Sequence, residues 1–495
     1  VLSKIFGFGR EVTLSYLFGA SNISDAYLIS TTIPNVIFSF LSVGLVAGYI
    51  PMYSKIHENE NKKNADLFTS NIINILFVLC TFIILLSVIF AKPIVKLFAS
   101  GFSAETLTIS IEFTRISIFS IYFLGLAAIY SGYLQIKNNH IVPSLIGLPL
   151  NIIVILSIII GYHFGLIFLA VGFLIATATK AIIMIPSMGK FNYRHKLICN
   201  FRDQNIIKMT YIITPIIIGT SVNQINTLVD RTLASRIIEG GISALNYANI
   251  LNSFIQGVFV ISIVTVFYPL ISKMAVSQNI IGIKSVTSKV INAVNILLIP
   301  ITIGTIIFTS EIVSIIYGRG AFNQNAVDMT SSTLLFYSIG MIGFGLREVL
   351  SRVFYAMQDT KIPMVNAAIG MGINIVLNII LSHFLGLRGL ALATSIAATF
   401  TTLLLFISLR KKIGPFGMKQ ISISFLKILF ASLIMGALAK LSFNYLTTSL
   451  SQNLSLLLAI GVGALSYFVI IYFMKIEDVD VIVGAIKKKL GRGAV

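Results

Sequence analysis

Apolar stretches of membrane-crossing length follow one another from end to end of the chain, among them 67–90, 205–219, 291–308 and 421–441, separated by short charged loops. Each is nearer the ~20 residues of a membrane helix than the ~10 alternating residues of a barrel strand. In lipid the backbone must satisfy its own hydrogen bonds, so this pattern predicts a helix bundle. Fourteen helices are expected, at about 1–20, 27–55, 67–91, 106–135, 141–162, 165–188, 205–234, 242–272, 283–309, 326–356, 362–383, 387–409, 421–443 and 454–474. The fold class is therefore an all-α polytopic membrane protein. Several of these helices exceed one bilayer crossing, which allows tilt or extension beyond the membrane.

Composition agrees with the pattern. Of 495 residues, 56% are hydrophobic and 11% charged, and the mean hydropathy is +0.95. A soluble chain could not cover that much apolar surface with polar groups. The net charge of +19 would suggest nucleic acid in a soluble protein. Here it is dispersed over loops, so anionic lipid headgroups are the expected partner and nucleic acid is not. Cys80 and Cys199 offer no disulfide framework, and His57, His140, His163, His195 and His383 are scattered, so no metal site is expected. No Gly-rich phosphate loop, His-Glu-x-x-His or serine elbow is present, which leaves no catalytic residues and no cofactor. Uphill work would draw on membrane potential, a counter-ion or the substrate gradient. The opening residues carry no cleavable-leader pattern, and the first span reads as short at its N-terminal end.

Loop charge alternates in density. Lys55/Lys62/Lys63, Lys137, Lys190/Arg194/Lys196/Arg202, Lys273/Lys284, Lys361 and Arg410/Lys411/Lys412/Lys419 fall on one side. The positive-inside bias makes that side cytoplasmic, with both termini, including a basic tail at 475–495. The segment Gln135-x-Lys137, Pro143, Asn151 and Gly165-Leu166 is echoed by Gln358-x-x-Lys361, Pro363, Asn374 and Gly386-Leu387. An offset of about 220 residues implies a duplication: a lobe at 1–188, a second at 205–409, and an added helix pair at 421–474. Two such lobes about a central cavity are a common transporter plan.

Ionisable groups inside spans are costly, at least about 2.5 kcal/mol each on insertion scales, and so mark candidate sites. Lys4, Arg10 and Glu11 lie in the first helix and Asp25 opens the second. Arg10 presents a fork suited to phosphate or carboxylate, which Glu11 would neutralise when empty; the alternative is a salt bridge that fixes helix ends. In the seventh helix Asn223, Asn226 and Asp230 make a polar stripe, with Gln224, Arg231 and Arg236 beside it and Asn249 on the eighth. These amides suit sugar hydroxyls or simple helix pairing. Glu348 with Arg352 at i,i+4 reads first as a helix-stabilising pair, and Lys180 as a snorkelling lysine. Pro34, with Gly44 and Gly48, and Pro215, with Gly219, are candidate gating kinks.

These residues also carry a resemblance. Gly7-Phe8-Gly9-Arg10-Glu11, Ser24-Asp25-Ala26-Tyr27, Asp230-Arg231-Thr232, Gly318-Arg319-Gly320 and Phe354-Tyr355-Ala356-Met357-Gln358-Asp359-Thr360 resemble the MurJ/MviN lipid II flippases, in the multidrug/oligosaccharidyl-lipid/polysaccharide exporter superfamily. The resemblance runs through the whole chain. It implies a bacterial cytoplasmic membrane protein that exports lipid II, an undecaprenyl-diphosphate-linked peptidoglycan precursor, in cell-wall biogenesis. It further implies a cationic cavity and a groove at the last two helices for the polyprenyl tail. Arg10 matches a cavity arginine, Asp25 an acidic residue at the second helix, and Lys4 a position usually held by arginine. Phe38, Ser39 and Ile250 stand where many relatives carry arginine, so Arg231, Arg236, Arg352 or Lys180 would have to substitute. Two other readings stay open: export of another polyprenyl-linked glycan or a multidrug-type substrate, and a non-transporting scaffold that recruits cell-wall synthesis enzymes.

Overall fold

The computed structural model describes residues 2–474, apart from the side chains of residues 2, 41, 43, 44, 212, 215, 216 and 218–223. The expected tail at 475–495 lies outside the described residues. Everything else folds as helices and short connections. The first eleven helices are α1 (Leu2–Phe18), α2 (Asn22–Asn59), α3 (Lys62–Ile89), α4 (Ala91–Phe98), α5 (Ala104–Ser117), α6 (Ser120–Ile136), α7 (Ile141–Leu145), α8 (Gly147–Phe164), α9 (Ile167–Ile182), α10 (Ile185–Lys190) and α11 (Gln204–Ile237). There follow α12 (Gly241–Val276), α13 (Ile280–Ile307), α14 (Thr309–Tyr317), α15 (Gln324–Ile339), α16 (Met341–Ala356), α17 (Lys361–Leu385), α18 (Leu387–Ile413), α19 (Met418–Leu446) and α20 (Gln452–Phe473). Among the described residues, ten helices are long and apolar enough to span a bilayer, or twelve if each bent pair counts once. The protein is a multi-pass membrane protein.

The element order recurs along the chain. Ala104 against Gln324, Ile141 against Lys361 and Ile167 against Leu387 begin matching elements at an offset of about 220 residues, as an internal duplication requires. The irregular points recur too: left-handed Asn138 matches Gln358, and the positive-φ Gly165 matches Gly386. By its internal packing the chain divides into one unit of Val1–Ala244 with Tyr317–Ala326 and another of Leu245–Ile316 with Val327–Val495.

Two expected single helices are sharply bent at a break. The stretch at 106–135 is α5 and α6, bent by 42°, and that at 326–356 is α15 and α16, bent by 47°. In the second pair Ser395 supplies the reason, since its hydroxyl takes the Phe336 carbonyl at 2.7 Å, just before the break at Gly340. A side chain inserted into the helical ladder is a usual cause of a kink. The short helices α4 and α14 are absent from the sequence expectation. In α4, Ala91, Val95 and Phe98 are buried at the spacing of one helix face, but eight residues are too few for a periodicity to stand out.

Two prolines inside spans, Pro34 and Pro300, are satisfied from neighbouring helices. Pro34 cannot bond the Ser30 carbonyl, and Ser117 of α5 donates to that oxygen at 2.6 Å. Likewise Pro300 in α13 leaves the Ile296 carbonyl free, and the Tyr467 hydroxyl of α20 donates to it at 2.6 Å. An orphan carbonyl in an apolar bundle costs about 1–3 kcal/mol. Tyr467→Phe should therefore lower stability by that amount and leave the fold intact. Thermal unfolding in detergent micelles checks this, with no change in midpoint as the contrary result.

The linker between the two repeats is strapped along α3. Asn71 donates to the Asn200 carbonyl at 3.0 Å and accepts from its N–H at 2.7 Å. Asn74 donates to the carbonyls of Lys196 (2.8 Å) and Ile198 (2.9 Å), and Ser70 accepts from the Lys196 N–H at 3.2 Å. His195 closes the strap on Asn74 Oδ1 at 3.0 Å, and partial burial holds its pKa below the usual histidine value.

Candidate functional site

Arg10 and Glu11 lie on α1, which packs against α8 and touches α2. Gly7 and Ser3 bring α1 close to α8. Asn151 donates to the Ser3 carbonyl at 3.2 Å, and a methyl group on Gly147 would lie 2.1 Å from the Ser3 hydroxyl. That close fit fixes the rotation of α1. Arg10 folds its stem back so that Nε donates to Glu11 Oε1 at 3.0 Å. The Glu11 side chain is 4% exposed and that of Arg10 is 32% exposed. The carboxylate is thus buried and the Arg10 side chain is partly exposed. Lys180 of α9 lies within electrostatic reach of Arg10, as does Tyr27 of α2; Tyr317 is within reach of Glu11. Two cations with one buried anion leave a local surplus of positive charge.

A second cluster gathers Asp25 and Arg231. Gly240, which precedes α12, has no side chain to cap that helix. Asp25, 2% exposed, supplies the missing oxygen, accepting from the Ser243 N–H at 2.7 Å and from the Ser243 hydroxyl. Arg231 donates to the Ile242 carbonyl at 3.2 Å and lies within electrostatic reach of Asp25. Glycines let the neighbouring loops close around this cap. Gly240 has φ +75° and a Cβ there would lie 2.3 Å from the Ala20 carbonyl oxygen; at Gly19, φ +66°, it would lie 2.5 Å from that of Ala321. The Ala321 N–H donates to the Tyr16 carbonyl at 2.8 Å. Loops near 20, 240 and 320 form one clasp, all within the first unit.

Elsewhere in the same unit, α2 and α11 line an open cleft of about 510 Å³. From α2 come Thr31, Thr32, Asn35, Ser39 and Ser42; from α11 come Gln224 and Thr227. Phe38, Val36 and Leu124 add apolar surface, and among the described residues none of the lining is charged. Gly48 permits the crossing of the two helices, since a Cβ there would meet Ile213 Cγ1 at 2.8 Å. The glycine read from sequence as a bending point is thus a packing contact as well.

The remaining candidates scatter. Asn226 donates to Asp230 at 3.3 Å on α11. Arg236 is exposed and donates to Ser100 at 2.6 Å, and Thr232 donates to the Leu97 carbonyl at 2.7 Å, so this end of α11 grips the α4–α5 connection. Lys4 and Asn249 are exposed. Arg352 pairs with Glu348 at 2.8 Å, both side chains more than a third exposed, as an ordinary i,i+4 pair. The helix α2 runs through Pro34 as one element. The side chains of Pro215, Gly219 and Asn223 lie outside the described residues. The sequence reading missed Ser243, Tyr317 and the cavity wall. A scan for ionisable groups passes over Thr31, Asn35, Ser39 and Ser42, although polar residues recurring along an apolar helix were the available signal.

Comparison with known proteins gives a consistent result. The family described as "Lipid II flippase MurJ" matches residues 14–462. The chain is 27% identical over 97% of its length to the "Probable lipid II flippase MurJ" of Vibrio cholerae, covering 95% of that protein. It is 29% identical over 82% of its length to the protein of the same description from Buchnera aphidicola, covering 80% of that one. A solved structure, "Lipid II flippase MurJ, inward closed conformation", aligns with a TM-score of 0.84 at 29% identity, covering 96% of this chain and 97% of that one. An inward-facing multidrug resistance MATE transporter aligns at 0.69 with 14% identity, covering 83% of this chain and 94% of that one, a likeness of fold.

Proposed function

The chain belongs to the lipid II flippase MurJ family, and from that premise we propose that it moves lipid II from the inner to the outer leaflet of a bacterial cytoplasmic membrane. It is a transporter, not an enzyme. The observation that carries the reading is the family match over residues 14–462 joined to a partly exposed arginine with a second cation within electrostatic reach. Diphosphate needs charge-assisted donors, and Arg10 supplies a planar fork for it. Glu11 holds that fork in place between cycles and gives it up as the phosphate arrives. Lys180 adds attraction without geometry.

In this reading α1 and α11 join the twelve spans to make fourteen, arranged as lobes 1–188 and 205–409 with the pair 421–474. The basic loops and both termini face the cytoplasm. The lobes alternate in exposing the headgroup, and the Asp25–Ser243 clasp holds one end shut for half of the cycle. The polyprenyl tail stays in lipid along α19 and α20, because burying each CH2 away from water is worth about 0.8 kcal/mol. Membrane potential drives the reset, at about 2.3 kcal/mol per charge per 100 mV.

Headgroup translocation in proteoliposomes under an imposed potential tests the proposal. Lipid II should reach the opposite leaflet at a rate that depends on the potential. No translocation by folded protein at either polarity would reject it, and movement of a different polyprenyl-linked glycan alone would reassign the substrate.

A further inference from the structure

The linker strapped along α3 has two unlike sides. Towards α3, alternate residues give up their backbone polar groups to that helix. Ser70, Asn71 and Asn74 take the N–H groups of Lys196 and Asn200 and the carbonyls of Lys196, Ile198 and Asn200. The Ile198 N–H donates to the Lys196 carbonyl at 2.9 Å. Backbone that is not helical needs such partners wherever it approaches lipid. On the open side, Leu197 is 92% exposed and Phe201 is 52% exposed.

The level of the strap follows from α3. Asn74 lies twelve residues past Lys62, about 18 Å along the helix. Ile72, Ile73, Ile75 and Leu76 are buried, and the exposed apolar face of α3 begins directly after them, at Phe77, Val78 and Leu79. Residues 196–198, bonded to Asn74, therefore lie where the end of α3 gives way to its lipid-facing length. The stretch 190–202 carries Lys190, Arg194, Lys196 and Arg202 and no acidic residue. All four cations are exposed, and none makes an ion pair among the described residues. Asp203, which follows, is engaged in capping α11. A single exposed leucine would mean nothing. Apolar side chains set among unpaired cations at the lipid boundary have the chemistry of a membrane-surface segment. An acidic soluble protein would satisfy the charges, but the level of Asn74 puts Leu197 beside acyl chains.

We propose that residues 190–202 dock onto an anionic phospholipid surface, with the cations holding headgroup phosphates and Leu197 and Phe201 entering the acyl boundary. Because α11 begins at Gln204, this contact sets the depth of its first turn in the membrane. The proposal stands on the membrane spans and is independent of which headgroup is transported.

Cys199 is exposed and Cys80 is buried, so an environment-sensitive fluorophore can be placed on Cys199 in the full chain. The labelled protein is reconstituted in vesicles of phosphatidylcholine alone or mixed with phosphatidylglycerol. Spin-labelled lipid then reports contact with the bilayer, and uncharged acrylamide reports contact with water. With phosphatidylglycerol present, quenching by lipid should rise and quenching by acrylamide should fall several-fold. Leu197→Ser with Phe201→Ser should return the label to water in both membranes. Arg194→Gln with Lys196→Gln should remove the dependence on phosphatidylglycerol and leave the melting temperature in detergent unchanged. Equal acrylamide quenching in all vesicles, or either double variant behaving as wild type, would overturn the proposal. Acrylamide quenching relieved by soluble polyglutamate and by neither membrane would overturn it in favour of an acidic soluble partner.

Discussion

Arg10→Ala is expected to abolish headgroup translocation, and the pairing with Glu11 dictates how the loss must be read. Removing the guanidinium deletes the donors for a diphosphate, each hydrogen bond to a charged group being worth about 1.5–3 kcal/mol. Two such bonds correspond to more than a hundredfold in headgroup affinity. The same change strands the Glu11 carboxylate, which is 3% exposed, and breaking a buried pair costs about 3–5 kcal/mol of stability. A simple loss of activity could then be a loss of fold. Arg10→Ala combined with Glu11→Gln removes the stranded charge, so it should recover most of the melting temperature and none of the transport. Arg10→Lys keeps the charge without the fork and should fall between. Transport at the wild-type rate in the double variant would show that Arg10 serves only to neutralise Glu11.

Asp25→Ala should produce the second large effect, on the clasp. Asp25 provides the oxygen that caps α12 in place of the absent side chain of Gly240, and it faces Arg231. Its loss leaves the Ser243 N–H and hydroxyl without this acceptor. A helix cap is worth about 0.5–2 kcal/mol, and that is the expected loss. Asp25→Asn keeps a capping oxygen and should cost less. Thermal unfolding of both variants in nanodiscs, beside wild type, reads this directly. If Asp25→Ala melts with wild type, the cap contributes no stability and the clasp is held by its glycine-mediated loop contacts alone.

Prolines show how far sequence reasoning reaches in this fold. Pro34 is visible as a residue that removes a helical bond, and a kink is the natural expectation. That the freed Ser30 carbonyl is met by Ser117, 87 positions away, depends on how α5 lies against α2. The same holds for Pro300 and Tyr467. Periodicity along one helix carries no information about which neighbour supplies a donor.

The sequence by itself determined the class of protein, most of the helical spans and the repeat at an offset of about 220 residues. These are set by local or cumulative properties: the length of apolar runs, the cost of charge in lipid, and the recurrence of turn residues. Only the tertiary structure decided what Asp25, Arg231 and the α2 hydroxyls do. Asp25 reads in sequence as a candidate for the cavity and in the fold as the cap of a helix that begins more than 200 residues later. Thr31, Thr32 and Ser39 read as unremarkable polar residues, yet the crossing of α11 over α2 makes them one wall. A side chain's chemistry is written in the sequence; its partners exist only once distant helices have been brought together.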